Sequence, residues 1–216
     1  MPKHDPSEKT KSDILKTAMR LFREKGFENV NIEDIVKELG MTRGAFYHYF
    51  KSREGLIYAA VDQMFFEKNP FDIAAKKQEL NALEKLRFIF KFQISPDMLQ
   101  SELQVMHALQ KVLADPVILK SEIFSQVHTV APFLEKLLIE GNEDGSLSVL
   151  YPKQTAQALS VLSSVWLSPT VFEVPFEEFV EKISFLEHLT KQLGVPIIDD
   201  EIRELILQRY QLIYDI

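Results

Sequence analysis

Leucine, isoleucine and phenylalanine recur along this chain at three- and four-residue spacing, and no segment alternates β-branched and polar residues between turn signals. The pattern predicts helices only. A first helix starting near Ser7 puts Ile14, Leu15, Ala18, Met19 and Phe22 on one face, carries Lys25 in its last turn and meets Gly26 as a left-handed stop. Asn31 is placed to cap a second, short helix ending at Gly40. Glu33 and Asp34 fall in its first turn, where the helix dipole favours acids, and Val30 and Ile35 occupy the positions of a hydrophobic staple. Thr42 then caps a third helix with Met41 and Phe46 as the staple pair, so two short helices meet at a glycine-containing turn. A fourth helix runs from Ser52 through Leu56, Ile57, Ala60, Val61, Met64 and Phe65 until Asn69 and Pro70 stop it.

Beyond Pro70 the punctuation predicts helices at about 72–93, 96–113, 116–141, 153–167, 176–193 and 199–214. Ser95-Pro96 and Asp115-Pro116 each set a capping side chain before a proline, Gly141 and Gly194 read as helix stops, and Pro169 and Pro175 bracket a loop. Pro132 should kink or split its helix, because its ring removes an amide donor and crowds the preceding turn. There is no internal repeat, low-complexity tract or long Gly/Ser linker. The fold class is therefore all-α. Residues 1–52 form a three-helix helix-turn-helix domain, and residues 53–216 form a larger helical domain, joined by the helix starting near residue 53.

The stretch that carries chemistry is Thr42-Arg43-Gly44-Ala45-Phe46-Tyr47-His48-Tyr49-Phe50-Lys51. At about 100° per residue, Arg43, Gly44, Tyr47, His48 and the following Lys51 fall on one side, and Ala45, Phe46 and Tyr49 on the other. One side suits a core and the other suits DNA. A recognition helix offers its N-terminal part to the major groove, where Arg43 can meet a guanine edge and the bare Gly44 permits close approach. Tyr47, His48 and Lys51 suit phosphate, and the Thr42 hydroxyl with the amides of the helix start adds a further anion site.

These residues resemble the TetR (tetracycline-repressor-like) family of bacterial regulators. The resemblance rests on Ile14-Leu15, Ala18, Leu21-Phe22, Gly26-Phe27, Ile32, Ile35-Val36, Gly40-Met41-Thr42, the run Phe46 to Phe50, and Lys51 with Leu56, so it covers about the first 60 residues. It implies a homodimer whose two recognition helices read a palindromic double-stranded DNA operator, with a divergent C-terminal domain in which an inducer loosens DNA binding. It also implies that Thr42, Arg43, Gly44, Tyr47, His48 and Lys51 are the DNA contacts. Two positions depart from the family pattern: Asn31 stands where Thr is frequent, and Ala45 where a hydroxyl residue is common. The first leaves the fold untouched, since Asn caps a helix as well as Thr does. The second weakens any inference about which bases are read.

Composition narrows the remaining classes. The net charge of −7 is unevenly spread: residues 1–60 carry 11 Lys and Arg against 9 Asp and Glu, net +2, so the acidity belongs to the C-terminal part. The absence of cysteine excludes a disulfide framework, a thiolate zinc site and a cysteine nucleophile. A charged N-terminus without an apolar core segment, and no stretch near the ~20 apolar residues of a membrane span, are read as a cytoplasmic protein with no membrane partner. No glycine-rich phosphate loop, Gly-x-Ser-x-Gly elbow or His-Glu-x-x-His motif is present, so no enzyme and no cofactor is expected. His107 and His128 lack a paired-ligand spacing. Glu140, Asn142, Asp144 and Gly145 imitate the opening of a calcium loop, but its twelfth position is Tyr151 where a bidentate Glu is needed, and the stretch reads as a polar turn.

The C-terminal part is rich in large, adaptable apolar side chains. Phe65, Phe88, Phe92, Met106, Phe124 and Trp166, with His107 and His128 as polar members, are candidates to line a pocket for an apolar or amphipathic small-molecule inducer. Ordinary core packing is the competing reading of each. The helices at 153–167 and 176–193, with Ala156, Leu159, Leu162, Phe179, Ile183 and Leu186, are candidates for an intermolecular four-helix bundle, again against packing within one subunit. The function expected is a DNA-binding transcription regulator, a repressor released by its inducer. The alternative is a helical protein-interaction module, which gives no reason for an outer helix face made of Arg, Gly, Tyr, His and Lys.

Overall fold

A computed structural model describes residues 6–26, 29–67, 69–94, 112–113, 115–169 and 171–214. These divide into two compact units, one formed by the described residues of Met1–Lys68 and Gln104–Ile118, the other by those of Asn69–Leu103 and Leu119–Ile216. All regular structure among the described residues is helical.

The first unit begins with α1 (Pro6–Lys25), whose Ile14, Ala18, Leu21 and Phe22 are buried at helical spacing. Gly26 ends it at φ 82°, its amide donating to the Phe22 carbonyl at 2.8 Å. Asn31 caps α2 (Ile32–Glu38): its Oδ1 accepts from the Asp34 amide at 2.9 Å while Asp34 Oδ2 accepts from the Asn31 amide at 3.0 Å. The reciprocal pair satisfies two amides that the helix start otherwise leaves unbonded. α3 (Arg43–Tyr49) and α4 (Arg53–Glu67) follow. Leu56, Ile57 and Ala60 of α4 are buried and the helix packs on α1, so the first unit takes in the whole of α4 and extends past residue 52.

The second unit contains α5 (Pro70–Ala75), α6 (Ala82–Ile94), α7 (Pro116–Ser125, whose N-terminal end falls in the first unit), α8 (Ala131–Asp144), α9 (Pro152–Val161), α10 (Phe176–Gln192) and α11 (Asp200–Tyr214). The single helix expected over 72–93 is two. α5 stops at Ala75, and α6 opens on a capping box in which Asn81 Oδ1 accepts from the Glu84 amide and Glu84 Oε2 from the Asn81 amide, both at 2.9 Å. A second cap for α6 comes from far along the chain, where Asp144 Oδ2 accepts from the Ala82 amide at 2.8 Å and Ser146 Oγ from the Leu83 amide at 3.3 Å. The polar turn mistakable for a calcium loop thus serves α6. Of the helix expected over 96–113, only Val112 and Leu113 are described, both helical and buried.

Before Pro132 the α-helical winding is interrupted, and a π-turn separates α7 from α8. The five residues before α8, Gln126–Val130, wind as a π-turn in which the Ala131 amide reaches the Gln126 carbonyl, and the wider turn absorbs the missing proline donor. A second π-turn, Leu162–Trp166, closes α9. Gly141 is not a stop: α8 runs through it to Asp144, and Gly145 at φ 78° ends the helix. α9 lies along α8, α6 packs on α8, and α11 packs on α6, around a core that includes Leu86, Leu138, Ala156, Ile183, Ile202 and Tyr210. Ala156, Leu159, Phe179, Ile183 and Leu186 all belong to this core. These residues therefore pack within one protomer, with Leu162 half-buried against the same core.

Candidate nucleic-acid interface

The turn Gly40, at φ 61°, lets α3 leave α2 in a new direction; the left-handed backbone there favours a residue without Cβ. Thr42 caps α3 through its Oγ1, which accepts from the Ala45 amide at 3.2 Å. Phe46, 0% exposed, anchors the helix by its inner face, and Phe50 is buried one turn on. The two rings lie 5.9 Å apart, and the edge of Tyr47 meets the Phe46 ring at 5.5 Å. One fully buried ring and a capped start fix the rotation of a two-turn helix, and so decide which residues face outward.

Thr42, Arg43, Gly44, Tyr47, His48 and Lys51 are all exposed, Tyr47 at 37%. The six residues expected to meet DNA are therefore all accessible on α3 and its two ends. The Lys51 ammonium donates to the Tyr47 carbonyl at 3.3 Å, which holds it over the end of α3. The His48 and Tyr49 rings meet edge to face at 5.2 Å. Gly44 has open space above it: a Cβ there would come no nearer than 3.9 Å to another side chain, that of Thr42. No packing constraint inside the protein calls for glycine at this position.

The structure differs from the sequence reading at three points. Ala45, expected in the core with Phe46, is exposed, and Tyr49 is only half-buried. The Thr42 cap occupies the Ala45 amide, which removes one donor from the anion site expected at the helix start. Glu33 of α2, which its position places only in the field of the helix dipole, has its Oε1 2.8 Å from Arg43 Nη2. Sequence spacing gives no sign of that pair, since ten positions and a turn separate the residues. The other two acids of α2 are engaged elsewhere, Asp34 in the cap and Glu38 with Arg20 of α1.

Residues 14–60, the stretch that builds this arrangement, match the profile of bacterial regulatory proteins of the tetR family. Residues 14–60 are thus a helix-turn-helix segment of the tetR type. The uncharacterized HTH-type transcriptional regulator YerO of Bacillus subtilis is 46% identical over 52 residues, 24% of this chain and 18% of that protein. The match thus spans less than a fifth of that relative's length. A crystal structure of a TetR-family transcriptional regulator from Pectobacterium atrosepticum superposes with a TM-score of 0.58 at 21% identity, over 88% of this chain and 96% of that one. FadR of Thermus thermophilus, a TetR-family transcriptional repressor solved in complex with lauroyl-CoA, gives a TM-score of 0.58 at 18% identity, over 94% of this chain and 93% of that one. At those identities the likeness speaks for the fold: a TetR-type helix-turn-helix followed by a helical C-terminal domain.

Of the residues expected to line a ligand pocket, Phe88 and Trp166 both pack against the core of the second unit. Phe88 and Phe92 are neighbours on α6, with ring centroids 6.2 Å apart, and Lys77 lies over Phe88. Phe124 is 64% exposed and stacks on the exposed His128 at 4.2 Å, an arrangement of surface rings and not of a cavity wall. Trp166 meets Phe185 at 5.8 Å, under the Lys182 ammonium. Met106, His107 and the Phe65 side chain lie outside the described residues. No group of three or more His, Asp or Glu among the described residues is placed to hold a metal ion, and no described helix is long and apolar enough to cross a membrane.

Proposed function

We propose that this protein is a homodimeric, cytoplasmic transcription regulator that places α3 of each copy in the major groove of a palindromic operator. One observation carries the reading: α3 is locked into the first unit by Phe46 while Thr42, Arg43, Gly44, Tyr47, His48 and Lys51 are all exposed. Arg43 is the base reader in this scheme, and Tyr47, His48 and Lys51 hold phosphate. The helix-turn-helix of residues 1–52 binds operator, and the helices from residue 53 onward serve dimerisation and ligand response. With the inner faces of α9 and α10 spent on their own core, the second copy meets the outer face of α10, where Phe185 is 53% exposed beside Trp166.

The regulator acts as a repressor that an apolar or amphipathic small molecule releases. FadR, of the same fold, was solved with lauroyl-CoA, a ligand with an acyl chain, which supports that class. The test is selection of duplexes from a random DNA pool by the purified full-length chain at near-physiological salt. Enrichment of a palindrome with half-sites about one helical turn apart is expected. A folded, dimeric protein that enriches nothing refutes the reading.

A further inference from the structure

We infer that Glu33 is a positioning residue for sequence recognition: by holding the Arg43 guanidinium in one orientation, it sets which base edge Arg43 meets. This rests on the regulator reading above and adds to it a residue on α2 that touches no base itself.

Both ends of the pair sit at capped helix starts. Glu33 lies in the first turn of α2 behind the Asn31 capping box, and Arg43 is the first residue of α3 behind the Thr42 cap, so both backbones are hydrogen-bonded into helices. Between them, Glu33 Oε1 and Arg43 Nη2 stand 2.8 Å apart with both side chains more than half exposed. Exposed ion pairs of this kind add little to folding, because water screens the charges and two long side chains lose rotamer freedom. A carboxylate on the face that approaches a polyanion is moreover unfavourable to DNA binding as such. Its compensating effect is on geometry. An unrestrained arginine must give up its rotamer freedom on meeting a base, whereas one already tied at Nη2 still has donors of its five N–H groups to offer. Bidentate reading of guanine demands such a fixed plane.

The experiment measures affinity of the full-length dimer for its selected operator and for every single-base-pair variant of it, with wild type, Glu33→Gln, Arg43→Ala and the double variant. Glu33→Gln keeps size and removes charge. It should lower discrimination about tenfold at the base pair that Arg43→Ala also relaxes, while affinity for unrelated duplex rises because a like charge has been removed. In the Arg43→Ala background, Glu33→Gln should leave discrimination unchanged. Thermal melting matching wild type establishes that the variants are folded, and Glu33→Asp, which retains the charge, should recover part of the discrimination. A Glu33→Gln profile identical to wild type overturns the inference, as does an equal effect with and without Arg43. Failure of the wild type itself to select any sequence overturns the regulator reading instead, and is seen before any variant is compared.

Discussion

The Leu147 amide donates to the Gly141 carbonyl at 2.9 Å, and the Leu147 side chain lies where a side chain on residue 141 would have to go. A Cβ on Gly141 would stand 2.5 Å from Leu147 Cγ and 2.8 Å from Leu147 Cβ. The clash reaches the base of the side chain, so rotamer change alone cannot relieve it. Gly141→Ala should destabilise the protein by about 1–3 kcal/mol despite the better helix propensity of alanine. Urea denaturation reads the change, and a variant as stable as wild type counts against the packing described.

Gly44 provides the opposite case, with open space on its exposed side. Gly44→Ala should raise stability by about 0.5 kcal/mol, because alanine loses less backbone entropy in a helix. If α3 enters the groove, the added methyl weakens operator binding at the same time. Melting and gel-shift titration together separate the two effects.

The exposed Lys51 ammonium, held over the end of the α3 face, is the candidate phosphate contact. Lys51→Ala should weaken binding to all duplexes alike and make the slope of log affinity against log salt shallower by about 0.9 per subunit. Arg43→Ala should in addition relax discrimination at one base pair per half-site. Titrations at several salt concentrations on operator and scrambled duplex distinguish the two.

The Asp144 carboxyl is held below the ordinary range by the Ser146 side chain, then by the Ala82 and Ser146 amides that donate to it. A folded value below the unfolded one, about 3.9, means that the stabilisation is present above about pH 4 and lost as pH falls through the folded value. Asp144→Asn should therefore be less stable than wild type at neutral pH, and the gap should narrow in acid. Denaturation curves at about pH 7 and about pH 2.5 give the comparison; a constant gap would show that the charge of Asp144 plays no part.

Lys85 is 8% exposed and donates to Glu140 Oε1 at 2.5 Å, tying α6 to α8. Removing the acceptor leaves a buried ammonium without its partner, so Glu140→Ala should cost about 1–3 kcal/mol. Lys85→Met removes both the charge and the need for a partner and should stay within about 1 kcal/mol of wild type. Equal losses would mean that the charge pairing itself stabilises the fold.

What the sequence determined by itself is local. Gly26, Asn31 and Thr42 act as the stop and the caps that their residue types permit, because a cap is decided by the few residues around it. Helical periodicity also put Phe46 inside and Arg43, Tyr47, His48 and Lys51 outside, since one buried ring fixes the rotation of a short helix. Decisions that depend on a distant partner belonged to the tertiary structure. Gly141 continues a helix because Leu147 covers it, and α6 starts at Ala82 because Asn81 and Asp144 both cap it there. Ala45 is exposed because nothing packs over that part of α3, a fact that periodicity does not contain. The apolar stripes of α9 and α10 were legible, but not what covers them, and each turned out to face its own core. Glu33 and Arg43 meet for the same reason: two capped helices and one glycine turn bring together side chains whose spacing along the chain carries no signal.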